Sequence, residues 1–516
     1  MHTGILKKMF VGLGVLFSAL LISSDIFAAS SAASRVRIDS GMLEGTQDKS
    51  IFVFKGIPFA SAPVGEWRWR EPQPMVAWEN IRSAKQYGNA CIQMPGLSQQ
   101  NGGDPGVLSE DCLYLNVWTP ALAQDRKLPV MVWIHGGGLV FGSAAVPGYE
   151  GQSLAQRGAV IVSIHYRMGP LGFFSHPALD AEQTSSVQNF GLLDQVAALK
   201  WVQKNISAFG GNPDNVTIFG QSAGAESVLA LYSSPLARGL FHKGIAQSPY
   251  GIPGHTAASA RTVGIAVASA VGLDGANAST AQLRAVPASK FGSLSAPELT
   301  LSPRFIIGDA VLPLAILDTF QKKQQAALPL IIGNNSQEAS VAAAFGVDPV
   351  KIIAGLGKLK ILVKPLYPKV SNDTELGNQV IRDAIFTAFA RRISYLQSQK
   401  SPVWRYYFSY VQQELRGSQT GVPHGGEIAF TMDTGAGCRC LKVPFSTSDQ
   451  ALAKQLGDRW VAFARNGDPQ ITALPIWPRD TVKNDAVMEF ADVAEVRKKF
   501  MQPRTNALIL GLKAAD

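Results

Sequence analysis

Residues 216–232 read as a buried strand that turns at once into a helix. Val216 to Phe219 is a short β-branched run, Gly220-Gln221-Ser222-Ala223-Gly224 is the turn, and Ala225 to Tyr232 favours helix. A serine on so tight a turn needs small neighbours, because the backbone is strained there and the hydroxyl must project. The helix beyond it presents unpaired N–H groups and the positive end of its dipole beside that serine. The same rhythm recurs along the chain. Pro129–Ile134, Ala159–Ile164, Gly244–Gln247 and Leu328–Ile332 are short apolar runs bounded by glycine or proline, as expected of strands covered on both faces. Between them, Leu192–Asn205 carries Leu192, Leu193, Val196, Leu199 and Val202 on one helical stripe. Strands alternating with helices predict an α/β fold, a mostly parallel central sheet flanked by helices.

The rest of the chain fits around that sheet. Arg35–Gly45 and Ile51–Phe54 alternate like strands of an antiparallel N-terminal ribbon, and the strand Val403–Tyr410 and the helix Ser448–Arg465 complete the core. From about 254 to 326 the pattern weakens into Ala/Ser-rich stretches, and about 341–396 is mostly helical by its spacing. These read as insertions roofing the sheet, so residues 29–516 are expected to form a single domain. With 46% hydrophobic and 16% charged side chains over 516 residues, a disordered chain is excluded, and four cysteines are too few for a disulfide scaffold. The net charge of +9 is mild for this length and no long basic run concentrates it, which argues against a nucleic-acid or anionic-membrane partner.

Lys7 and Lys8 precede an apolar run from Met9 to Ile22, and small residues follow from Ala28. This is the pattern of a signal peptide cleaved after Ala28, and the run is short for a membrane span, so no stable membrane insertion is expected. The expected location is secreted or periplasmic. Export permits disulfides. Cys91 and Cys112 bracket a segment rich in Gly, Pro, Asn and Gln and are expected to pair; Cys438 and Cys440, one residue apart, pair with each other or remain thiols.

His135-Gly136-Gly137-Gly138 follows the strand 129–134 directly. Consecutive glycines let the backbone fold close to a ligand and aim N–H groups at an oxyanion; His135 is expected to shape that loop. A general base should follow the serine in the chain, in the order serine, acid, histidine. Of the seven histidines, only His424, in Val422-Pro423-His424-Gly425-Gly426-Glu427-Ile428, lies in the C-terminal third. The acid should come between them at the C-terminal end of a strand, where such sheets collect their sites. Glu338, in the loop after 328–333, is the first candidate, with Asp309 and Asp348 as alternatives.

These residues resemble the type-B carboxylesterase family, the cholinesterase-like branch of the α/β-hydrolases, from about Arg35 onward. The likeness rests on Phe54 to Ala60 with Gly65 and Arg68, Glu110 to Val117, His135 to Gly138, Tyr166 to Phe173, Asn189 to Asp194, Phe209 to Pro213 and Phe219 to Gly224. The resemblance implies an α/β-hydrolase fold with helical insertions roofing a gorge. It implies Ser222 as nucleophile, His424 as base, Glu338 as acid, and an oxyanion hole from the N–H groups of Gly137, Gly138 and Ala223. It also implies a Cys91–Cys112 bridge at the gorge rim and a buried ion pair between Arg68 and Glu110. Gln221 stands where cholinesterases have glutamate, which argues against choline specificity; Ala339 and His165 replace the usual glycine and asparagine.

The expected activity is hydrolysis of small-molecule carboxylic esters through an acyl-enzyme, with no metal or cofactor required. Amide hydrolysis by the same residues is the nearer alternative. A catalytically silent binding or adhesion protein is the other, although such relatives typically lack a member of the triad, and here every role has a residue.

Overall fold

The computed structural model describes residues 34–101, 103–182, 188–294, 304–435, 441 and 443–515. The expected signal peptide, residues 1–28, and Cys438 and Cys440 lie outside the described residues. An 11-stranded sheet organises the rest. Its strands are β1 (Thr46–Asp48), β2 (Ile51–Pro58), β3 (Tyr114–Thr119), β4 (Leu128–Ile134), β5 (Val160–Ile164) and β6 (Gly211–Gln221). They continue with β7 (Lys243–Gln247), β8 (Leu330–Asn335), β9 (Val403–Phe408), β10 (Ala486–Phe490) and β11 (Glu495–Lys498). The spatial order is β11-β10-β9-β8-β7-β6-β4-β5-β3-β2-β1. Every neighbouring pair from β10 across to β5 is parallel, and antiparallel strands close both edges.

The helices that matter for the site are α1 (Phe190–Asn205), α2 (Ala223–Ser233), α3 (Asp373–Ile381), α4 (Ala388–Ser398) and α5 (Thr447–Asn466). Alternate residues of β4 serve opposite faces. Val130, Val132 and Ile134 share a core with Leu192 and Leu199 of α1 and Val228 of α2; Met131 and Trp133 share another with Trp460 and Phe463 of α5. That two-residue period explains why β4 is apolar throughout: helices cover both sides.

The order β6-β4-β5 is what makes a site. After β4 the chain steps outward to β5, then returns on the other side of β4 as β6. The loops leaving β4 and β6 therefore diverge at a switch point, and a crevice opens at the strands' C-terminal ends.

Two expectations need correction in detail. The N-terminal ribbon is divided: Arg35–Ile38 and Gly41–Glu44 pair in a separate three-stranded sheet with Arg82–Ser83, while Ile51–Pro58 joins the main sheet. The chain crosses between them at Gly45, where a Cβ would lie 2.5 Å from the Val53 carbonyl oxygen. Strand β6 also begins earlier than its apolar run, because polar residues 212–215 bulge out between the Gly211 and Val216 pairings with β4.

Candidate active site

Ser222 stands between the last residue of β6 and the first of α2 with φ 57° and ψ −125°. A non-glycine residue at positive φ is strained, and the surroundings here dictate it. The Ser222 N–H donates to Gln247 O of β7 at 2.9 Å. On the other side, a Cβ on Gly224 would sit 2.0 Å from Ile134 O, so only glycine lets α2 start this close to β4. Ser222 itself is buried.

The loop after β4 runs beside it. Gly137 and Gly138 have φ of 104° and 61°, and a Cβ on Gly137 would lie 2.0 Å from Phe141 O. Among the described residues, the N–H groups of Gly137, Gly138 and Ala223 donate to no protein acceptor. His135 locks the loop rather than facing the crevice. Its ring is buried, donates from Nδ1 to Gly136 O at 2.9 Å, and stacks on Tyr166 with centroids 4.5 Å apart. Burial pushes its pKa down to about 4, so it is neutral at ordinary pH. His165 behaves alike: Nε2 meets Ser143 Oγ at 3.0 Å, and burial, then the nearby His135, lower its pKa to about 3.

His424 comes from a loop far along the chain. Its Nδ1 lies 2.5 Å from Glu338 Oε2, and its backbone N–H donates to Ser340 Oγ at 2.9 Å. Glu338 is fully buried and its other oxygen is held too, accepting from Asn335 N at 2.5 Å and Ser248 Oγ at 2.6 Å. The Nε2 edge of the imidazole meets the Gln221 side-chain amide at 3.2 Å, one residue from Ser222. Burial alone would lower the His424 pKa. The charge and hydrogen bond of Glu338, with a further pull from Glu427, outweigh burial and hold the pKa above the ordinary histidine value.

The two alternative carboxylates sit elsewhere. Asp309 accepts from the backbone of Val311, Leu312 and Gln188 and from Asn189 Nδ2, and Asp348 caps a helix through Val350 N at 2.8 Å.

Two residues that sequence reasoning passed over adjoin His424. Phe386, on the π-helical turn Arg382–Thr387, packs on its ring at 5.3 Å. Glu427 is buried and accepts from Asn335 Nδ2 and, at 3.4 Å, from Gln247 Nε2. Burial, then the charge of Glu338, pushes its pKa up to about 7. Its position three residues after His424 was the one available signal, since a tight turn brings such positions together.

Outside the crevice, Cys91 and Cys112 are bonded, with Cα atoms 5.0 Å apart. The loop they close is clipped to the glycine loop: Gln93 accepts from Gly142 N and donates to Gly142 O, both at 2.9 Å. Arg68 makes a bidentate pair with Glu110 at 2.6 and 2.7 Å and donates to Val286 O, tying the N-terminal segment to the insertion. A shallow, mainly apolar cleft lies between these parts, lined by Ile92, Met94, Val140, Met168, Phe291 and Leu294.

A strand–serine–helix elbow at the switch point of such a sheet, with free N–H groups beside it, defines an α/β-hydrolase. The chain belongs to the carboxylesterase family, whose model matches residues 32–356 and 368–508, and it is a carboxylic ester hydrolase. Residues 357–367 fall between the two matched stretches. It is 34% identical to a fumonisin B1 esterase of Sphingopyxis macrogoltabida, over 85% of this chain and 83% of that one. It is 32% identical to the para-nitrobenzyl esterase of Bacillus subtilis (strain 168), over 89% and 96%. Among solved structures, a thermophilic para-nitrobenzyl esterase superposes with a TM-score of 0.78 at 30% identity, covering 92% of this chain and all of that one (100%).

Proposed function

We propose that Ser222, His424 and Glu338 are the catalytic triad of this esterase and that the N–H groups of Gly137, Gly138 and Ala223 form its oxyanion hole. The observation that carries the reading is the tautomer the contacts impose on His424. With Nδ1–H donated to Glu338, Nε2 keeps its lone pair and faces residue 221, beside the serine. Nε2 takes the Ser222 proton as Oγ attacks the ester carbonyl, and the oxyanion accepts from the three N–H groups. The imidazolium, stabilised by Glu338, returns the proton to the departing alcohol, and water then repeats the sequence on the acyl-enzyme. The buried start of α2 adds its dipole where negative charge develops.

Ser222→Ala is expected to lower kcat for a para-nitrophenyl ester by at least about 10⁴-fold with an unchanged circular dichroism spectrum. Wild-type turnover in that variant would overturn the assignment. Substrates are small-molecule carboxylic esters. The para-nitrobenzyl and fumonisin B1 esters named by the relatives are the compounds to try first. Residues 29–516 form one unit in this reading, with about 254–326 and 341–396 as its roof. Export follows from the N-terminal pattern and is supported by the disulfide; sequencing of the exported protein should begin at Ala29.

A further inference from the structure

Residues 349–370 carry Lys351, Lys358, Lys360, Lys364 and Lys369 and no Asp or Glu. They fold as short helical turns (Pro349–Gly355, Gly357–Leu359, Lys360–Val363 and Lys364–Leu366) beside α3. The inward side chains are already used. Ile353 and Tyr367 form a satellite core with Leu376 and Val380 of α3, and Leu356, Val363, Leu366 and Val370 pack against it. A second set of aliphatics faces out: Leu359, Ile361 and Leu362 are 60%, 76% and 70% exposed, and Val350 and Ile352 flank them. Lys360 is paired with Asp373 at 2.7 Å; the other four lysines make no ion pair among the described residues.

We propose that this segment docks the enzyme on an anionic lipid surface. Single exposed aliphatics are ordinary, but three within four residues, in a segment that also carries four lysines without ion pairs, form a patch with two unmet demands. Apolar side chains need cover and four cations need counter-charge. A bilayer with anionic headgroups meets both, as it does for amphipathic segments that lie in the interface. The competing occupants each meet one. A second copy in a two-fold dimer would cover the aliphatics but set lysine against lysine, and a nucleic acid would neutralise the lysines but leave the aliphatics in water. The patch also falls largely in residues 357–367, the stretch outside the family pattern, so it belongs to this chain rather than to the shared catalytic frame.

The test is sedimentation of the full chain with vesicles of equal parts phosphatidylglycerol and phosphatidylcholine, against pure phosphatidylcholine. The apolar N-terminal run is common to all arms. The variants are Leu359→Asn/Ile361→Asn/Leu362→Asn and Lys358→Gln/Lys364→Gln, exposed changes remote from Ser222 in the chain, with hydrolysis of a soluble ester as the control for folding. Wild type should partition onto the anionic vesicles and detach at high salt. Each variant should bind at least about tenfold more weakly with unchanged soluble-ester turnover. Equal binding by wild type and variants, or no preference for anionic vesicles, overturns the proposal. So does a wild-type dimer in sedimentation velocity that the triple Asn variant abolishes, because the occupant is then a second copy.

Discussion

Glu338 is bonded to His424 and Glu427 acts on it through charge, yet they are held differently. Glu338 is saturated with donors, from Asn335 N, Ser248 Oγ and His424, whereas Glu427 has Asn335 Nδ2 and a long contact from Gln247. Burial, then the charge of Glu338, pushes the Glu427 carboxyl toward neutrality. This sets the pH response of the base. In the proposed mechanism the imidazole must be neutral to accept the Ser222 proton, so activity should fall as pH drops through the His424 pKa, which neighbouring negative charge raises. Glu427→Gln removes part of that charge, and the acidic limb of kcat/KM should move to lower pH. Gln221→Glu adds a carboxylate against Nε2, and the limb should move to higher pH. Both are read from pH–rate profiles on one para-nitrophenyl ester. Glu338→Gln should cost about 10⁴ in kcat, because the amide no longer enforces the Nδ1–H tautomer.

The junction of β6 and α2 is where an element rather than a side chain decides the outcome. Its approach to β4 leaves no room for a methyl group at Gly224, and the obstacle is backbone, the Ile134 carbonyl. Gly224→Ala must therefore push α2 away from the glycine loop, separating Ala223 N–H from Gly137 and Gly138. Losing the geometry of one oxyanion donor costs about 10² to 10³ in kcat, with a lower thermal midpoint measurable by differential scanning calorimetry. The same local rules made most elements legible. The leading runs became β4, β5, β7 and β8, and the expected helix 192–205 is α1 less its first two residues. Strands β10 and β11 escaped sequence reading for opposite reasons. Ala486–Phe490 has glutamate next to its end, and Glu495–Lys498 is exposed throughout, so neither shows a strand-like apolar period.

Across the whole molecule, long-range links tie the sheet, its helices and the loops near the crevice together. Arg167 and Asp194 join the turn after β5 to α1 through a buried bidentate pair at 2.8 Å. Arg167→Met leaves Asp194 buried and uncompensated, and should destabilise the fold by about 3–5 kcal/mol, visible as a lower urea midpoint. The Cys91–Cys112 bridge closes a separation of 21 residues, so Cys91→Ser/Cys112→Ser should cost about 3 kcal/mol, with loosening of Gln93 from the glycine loop. The amino-acid sequence by itself determined the alternation of strand and helix, the elbow around Ser222 and the glycine loop, because periodicity and steric need act over a few residues. It also narrowed the base to His424 by its order in the chain. The chain put Glu338 first, by its place after a strand, and left Asp309 and Asp348 as alternatives; only the tertiary structure brings Glu338 to the ring of His424, 86 residues away. The neutralising burial of Glu427 and the seat of Phe386 were likewise hidden, since proximity and desolvation exist only once distant segments have packed.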